Sequence, residues 1–280
     1  RGQFRGGPAW YMARGLGMRW MGVLFSLFLL LAYGLIFNTV QANSVAHAMR
    51  YAFSCPEWLA GLALASIVLL TISFGLKGIA RLMQWLVPIM ALLWVAASLF
   101  VAALHLDQVP GVLATIVKSA FGWREVASGA LGYTFSQALM AGFQRGMFSN
   151  EAGMGSTPNA AAAASSWPPH PAAQGIVQMI GVFTDTIIIC SASAMILLLA
   201  GPVPHASGTV GIQLLQQALV TLTGGWGAGF VSLILILFAF SSIVVNYLYA
   251  ENNLIFLKLD SRAAIGTLRL GVILMVVAGS

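Results

Sequence analysis

R-G-M-F-S-N-E-A-G-M-G-S-T-P-N-A-A-A-A-A, Arg145 to Ala164, is the passage on which the reading of this chain turns. An Arg, an Asn, a Glu, three glycines and a Ser-Thr-Pro step precede five alanines, all inside a very apolar sequence. A smooth membrane helix needs none of these. Gly146, Gly153 and Gly155 permit backbone angles that other residues avoid. Non-helical backbone at membrane depth is tolerated only where protein buries it or where it lines a cavity. Two readings stay open: a break that holds a polar solute, or a loop with a Glu151–Arg145 surface pair and a capped helix after it.

The surroundings fix the class. Of 280 residues, 59% are hydrophobic and only 7% charged, with a mean hydropathy of +0.90. Soluble domains carry about 25% charged residues, so this chain cannot cover a water-facing surface. Several apolar runs approach the ~20 residues that cross a bilayer, and helices satisfy their own backbone there. The expected class is an all-α polytopic membrane protein. The net charge of +6 then reads as orientation signal rather than nucleic-acid binding. Cys55 and Cys190 do not form a disulfide framework. The chain opens on Arg1 without a signal peptide and its last apolar run stops at Ser280, so it reads as an internal fragment.

Outward from the motif, Arg1–Arg19 is a basic, aromatic surface segment. Spans are expected at about 20–43, 58–76, 85–104, 127–143, 175–199 and 230–257, with another starting after Asp260–Arg262 and cut off. Pro88 falls near the start of the third, where it costs least. Residues 107–123 and 210–222 read as short amphipathic helices. Thr157 reads as an N-cap with Pro158 at the first helical position, the helix running to Ser166. Span 127–143 is weak, carrying Gly129, Gly132, Thr134, Ser136 and Gln137. Counting it as one crossing puts Arg1, Arg5, Arg14, Arg19, Lys77, Arg81, Arg145, Lys258 and Arg262 inside, against Arg50, Lys118 and Arg124 outside. That count moves the 145–164 motif toward the cytoplasmic mouth, with Asn150, Glu151, Gly153 and Gly155 as a gate or hinge. Thr134 and Gln137 are then better placed to line a pathway.

Three further constellations offer chemistry. Ser241 and Ser242 lie deep in an aliphatic run, where paired hydroxyls suit a hard cation such as Na+. Each can equally bond back to its own helix. Asn246 lies one turn further, and Glu251 nearer the inner end. Asp185, in V-F-T-D-T, is an intramembrane acid and thus a functional candidate, or a structural bond to neighbouring helices. Asn38, Gln41 and Ser44 fall at i, i+3 and i+6 and share a face that can contact a polar solute or bond a neighbouring helix. The chain has no H-E-x-x-H, Walker loop, Cys/His cluster or G-x-S-x-G.

R-G-M-F-S-N-E-A-G-M-G-S, G-V-F-T-D-T and F-A-F-S-S with Y-x-Y-A-E closely resemble the alanine/glycine:cation symporters. So do G-G-P-A-W-Y-M and N-T-V-Q-A-N-S around the first span. The resemblance runs in order along nearly the whole chain. It implies a leucine-transporter-type fold of two inverted five-helix repeats, truncated at both ends: residues 1–105 end the first repeat and 106–280 supply most of the second. It implies sodium-coupled import of a small neutral amino acid across a bacterial inner membrane by alternating access. Gln41 would contact substrate, and Ser241 with Ser242 would hold Na+. No cofactor beyond the coupling ion is implied. Where the family usually reads G-W before Y-x-Y-G-E, this chain has Val245 and Asn246, an amide that makes the pocket roomier and more polar. Two alternatives accompany this expectation. One is proton coupling on the same fold, through Asp185 or Glu151. The other is a membrane enzyme using those carboxylates as a pair, against which their separation in the topology weighs.

Overall fold

A computed structural model describes residues 5–120, 140, 151–164, 167–201 and 211–280. No strand occurs among them, and the elements are helices throughout. A short helix α1 (Pro8–Arg14) leads into α2 (Arg19–Leu31), a π-turn over Ala32–Ile36, and α3 (Phe37–Phe53), which together form one continuous 35-residue span. Helices α4 (Glu57–Ser73), α5 (Gly75–Leu104) and α6 (Val109–Ala120) follow. After a 3-10 turn at Glu151–Met154 come α7 (Ser156–Ala163), then α8 (Pro171–Phe183), a second π-turn (Thr184–Ile189) and α9 (Cys190–Ala200). The chain closes with α10 (Ile212–Thr223), α11 (Trp226–Phe256) and α12 (Arg262–Gly279).

Five helices among the described residues are long and apolar enough to cross a membrane: Arg19–Phe53, Gly75–Leu104, Pro171–Ala200, Trp226–Phe256 and Arg262–Gly279. With the shorter apolar Glu57–Ser73, they match the expected all-α polytopic class. The weak span at 127–143 falls outside the described residues, apart from helical Met140.

Several local expectations need correction. The first span does not end near Asn43 but continues to Phe53, and Asn38, Thr39 and Ser44 all bond carbonyls of the helix they sit on. The Lys77–Arg81 link is helical. Gly75, at φ +70°, completes the turn from α4 immediately after Phe74, so α5 begins there. Pro88 is therefore inside α5 rather than near its start. Thr157 is not the N-cap of α7. Gly155 caps it in a left-handed conformation, and the helix ends at Ala163.

Helix α11 is the hub. Half of its most apolar window is buried, against 17–28% in the other four spans. It packs on α3, α10, α5, α2 and α4. Its first half joins Val231 and Ile234 to Trp94, Val101, Ile196 and Leu219. Its second half joins Ile243, Val244 and Tyr247 to Val45, Val68, Ile72, Val272 and Val276. The outward faces keep large apolar side chains such as Leu70 and Leu92 exposed, as lipid contact requires.

Between the tails of lipid, apolar packing gives little net drive, so polar bonds matter more for position. Gln216 of α10 is fully buried, and its Nε2 donates to the Ala48 carbonyl (3.0 Å), Ser232 Oγ (2.9 Å) and the Ala228 carbonyl (3.4 Å). That one amide ties α10 to α3 and α11. Gln216→Leu is expected to cost ~1 kcal/mol by removing the bonds that tie α10 to α3 and α11, with Ser232 Oγ still donating to the Ala48 and Ala228 carbonyls. It should appear as a lower thermal midpoint in detergent. Thr221→Val, which removes an exposed bond to Gln217 of the same helix, should stay within about 0.5 kcal/mol.

Candidate functional site

A cavity of about 550 Å³ opens among α3, α7, α11 and the π-turned α8–α9 span. Helix α11 contributes Phe238, Ser242, Val245, Asn246 and Tyr249, a stripe at helical spacing. Across from it stand Asp185, Ile189 and Ser193, with Gln41 on α3 and Glu151, Ser156 and Thr157 from the 3-10 turn and α7. The walls carry two carboxyls, three side-chain amides at Gln41, Gln178 and Asn246, and several hydroxyls. Among the described residues no Lys, Arg or His lines it.

The second π-turn lines this cavity, and the first lies behind its wall. A π-turn widens the helix and disturbs the i→i−4 pattern, and such turns recur at functional sites. In the first, Asn38 Nδ2 donates to the Tyr33 carbonyl (2.9 Å) and the Gly34 carbonyl (3.1 Å). Asn38 Oδ1 in turn accepts from Asn246 Nδ2 at 3.2 Å. Asn38 is thus completely buried behind the cavity wall, and Gln41, one turn on, reaches the cavity itself. In the second, Asp185 and Ile189 both lie on the widened turn and both line the space.

Tyr33 and Tyr249 pack edge to face at 5.7 Å beside this wall. The buried Tyr33 hydroxyl has Glu151 and Ser156 as its nearest polar neighbours, although among the described residues neither comes close enough for a full hydrogen bond. Burial pushes the Glu151 carboxyl above the ordinary glutamate range; the Tyr33 hydroxyl offsets part of that rise and the Asp185 charge adds to it.

The two serines of α11 part company. Ser242 faces the cavity. Ser241 is buried on the other side, donating to the Phe238 carbonyl at 2.8 Å and contacting Met90 Sδ of α5 at 3.9 Å. Of the candidate residues, Gln41, Asn246, Ser242 and Glu151 therefore meet at one cavity, while Asn38 supports it from behind. Thr134, Gln137 and Asn150 lie outside the described residues. The separation expected between Glu151 and Asp185 is overturned: the 3-10 turn at Glu151–Met154 and the π-turn at Thr184–Ile189 both contribute to the wall of one cavity, and both carboxyls line it.

An amide knot lies at the inner end, which the sequence reading did not single out. Asn159 Nδ2 donates to the Gly155 carbonyl (2.8 Å). Its Oδ1 accepts from Asn252 Nδ2 (2.8 Å) and Asn253 Nδ2 (3.2 Å). Asn252 also donates to the Gly6 carbonyl (2.7 Å), and Ser26 Oγ donates to Asn253 Oδ1 (3.0 Å). Four segments are joined by side chains that have few other ways to be satisfied. Arg5 and Glu251 pair nearby at 4.0 Å. The adjacent asparagines at the end of an apolar run were the available signal.

A multi-pass helical bundle with a polar cavity beside a helix irregularity is an architecture suited to passing a polar solute through a membrane. The chain matches the sodium:alanine symporter family over residues 1–280, and it belongs to that family. It is 62% identical over 279 residues to the uncharacterized transporter YaaJ of Escherichia coli (strain K12), covering 100% of this chain and 59% of the relative. It is 45% identical over 276 residues to the probable sodium/glutamine symporter GlnT of Bacillus subtilis (strain 168), covering 99% and 56%. It is also 45% identical over 277 residues to the amino-acid carrier protein AlsT of the same organism, covering 99% and 57%. The chain thus spans less than two thirds of the length of these relatives. Family and relatives are transporters, not enzymes, and the protein is a multi-pass component of a bacterial inner membrane.

Gly155 shows why the 145–164 motif needs glycine at that point. Its φ is +102°, and a Cβ there would stand 2.6 Å from Phe25 Cζ and 3.2 Å from Pro8 Cγ. Gly155→Ala should cost ~1–2 kcal/mol from the left-handed conformation alone, before any clash. Gly153, with open space around it, should accept Ala within about 0.5 kcal/mol. Thermal midpoints of the two variants in detergent check the contrast.

Proposed function

We propose that the full-length protein is a sodium-coupled symporter that imports a small neutral amino acid by alternating access. The observation that carries this reading is the cavity itself: three amides, hydroxyls and two acidic side chains enclosed by a family member's membrane helices. A zwitterionic amino acid entering with Na+ adds net positive charge to a cavity with acidic walls, so cargo and site are electrostatically matched. The names sodium/glutamine symporter and amino-acid carrier, held by relatives, support an amino acid as cargo.

Roles follow from position. Gln41 and Asn246 take polar groups of the substrate, with Thr134 and Gln137 proposed to complete the pathway. Ser242 supplies an oxygen ligand to Na+, which prefers hard oxygen donors as other hard cations do. Ser241 holds α11 against α5 beside it. Glu151, Gly153 and Gly155 form the gate or hinge next to the amide knot, with Asn150 proposed to belong to it from its place in the sequence. Residues 1–105 complete one inverted repeat and 106–280 most of the other.

Reconstituted full-length protein should accumulate labelled neutral amino acid only under an inward sodium gradient; equal uptake with choline in place of sodium contradicts the proposal. Ser242→Ala should raise the half-saturating sodium concentration about tenfold, the loss of ~1.4 kcal/mol of ligation. Ser241→Ala should act mainly on stability.

Proton coupling is the second reading, favoured by one observation: Glu151 and Asp185 share the cavity, and burial keeps Glu151 protonated to higher pH than usual. Under it, an inward pH gradient without sodium suffices, and Glu151→Gln flattens the pH profile above the ordinary glutamate range. Uptake that stays silent without sodium at every pH excludes it.

A further inference from the structure

The two-amide relay behind the cavity fixes which end of Asn246 faces the substrate. Two carbonyls of the π-turn, Tyr33 and Gly34, can only accept, so Asn38 must present its Nδ2 to them. Asn38 Oδ1 is then the group turned toward α11, and it too can only accept. Asn246 must answer with Nδ2, at 3.2 Å. No freedom remains to flip either amide without placing acceptor against acceptor. What Asn246 has left for the cavity is Oδ1 together with the second N–H of Nδ2, an acceptor and a donor side by side that a primary amide can meet at once.

That oxygen belongs to a side chain only 4% exposed, and no described residue donates to it. It is not sealed off, because Asn246 lines the cavity. A buried acceptor with fixed polarity discriminates: it gains a bond from an N–H or O–H group and loses one when an apolar group displaces its water. Resting on the transport reading above, we infer that Asn246 selects neutral amino acids whose side chain ends in a hydrogen-bond donor, a primary amide first. The α-ammonium of the substrate is a poorer candidate for this oxygen. Charge-assisted bonds to carboxylates are the stronger ones, and Glu151 and Asp185 stand in the same cavity.

The test uses shape-matched pairs, asparagine against leucine and glutamine against methionine. Each is measured for sodium-dependent uptake and for competition by the reconstituted full-length protein. The wild type should prefer the amide in at least one pair by at least about tenfold. Asn246→Leu should bring that ratio close to one. Asn38→Ala should do the same without touching the cavity wall, since it frees the Asn246 amide to turn. Asn38 is thereby a positioning residue, and the ratio is a readout that a general loss of stability does not move. Equal handling of both pairs by the wild type overturns the inference while leaving transport intact. So does a ratio unchanged in Asn246→Leu, or one in which amide and apolar substrates weaken in parallel. Absence of sodium-dependent uptake of every neutral amino acid tried, alanine included, overturns the transport reading and this inference together.

Discussion

Backbone carbonyls released inside a membrane must find donors within the protein, and that requirement shapes this molecule around Asn38. The π-turn at Ala32–Ile36 widens the first span and leaves the Tyr33 and Gly34 carbonyls to be met by the Asn38 amide. Meeting them commits both ends of Asn38, and through it Asn246 on the hub helix. The α3–α11 contact is the most extensive among the described residues, and a polar relay sits within it. A local irregularity in one helix therefore sets both the register of the central pair and the chemistry offered to the cavity.

The same economy recurs elsewhere. Gln216 serves three acceptors on two other helices, and Asn159 collects donors from Asn252 and Asn253 while capping the Gly155 carbonyl. Leucine and lipid tails are alike to a helix, so apolar area does not choose between neighbours; paired amides and close approaches at small residues do. A Cβ at Gly34 would stand 3.6 Å from both Ala250 and Leu268, and Gly155 leaves no room for a Cβ beneath Phe25. The polar residues cluster at the ends and middle of α11, which is why one helix connects the cavity, the inner knot and the outer packing.

Much of the architecture was legible in the sequence because long apolar runs and their basic flanks carry it directly. The span over 230–257 was expected almost where α11 stands. Asn246, Gln41 and Ser242 were legible as polar groups in apolar surroundings. Their assembly was not, because the register between α3 and α11 depends on a π-turn that leaves no mark in A-Y-G-L-I. The pairing of Glu151 with Asp185 at one cavity was hidden for the same reason: distance along a topology diagram does not report how a 3-10 turn folds back. Thr157-Pro158 has the pattern of a cap, but the left-handed Gly155 one step earlier takes that role. Ser241 and Ser242 were indistinguishable as neighbours, and only the packing of Met90 against one of them separates their faces.

The central claim is that the cavity among α3, α7, α8–α9 and α11 is where the transported solute and its ion meet. Cys190 lies on its wall and reports on it directly. In full-length protein with Cys190 as the sole cysteine, the rate of maleimide labelling should fall when sodium and a transported amino acid are both present, and fall much less with either alone. A labelling rate indifferent to sodium and amino acid, in protein that still transports, would place the binding site elsewhere.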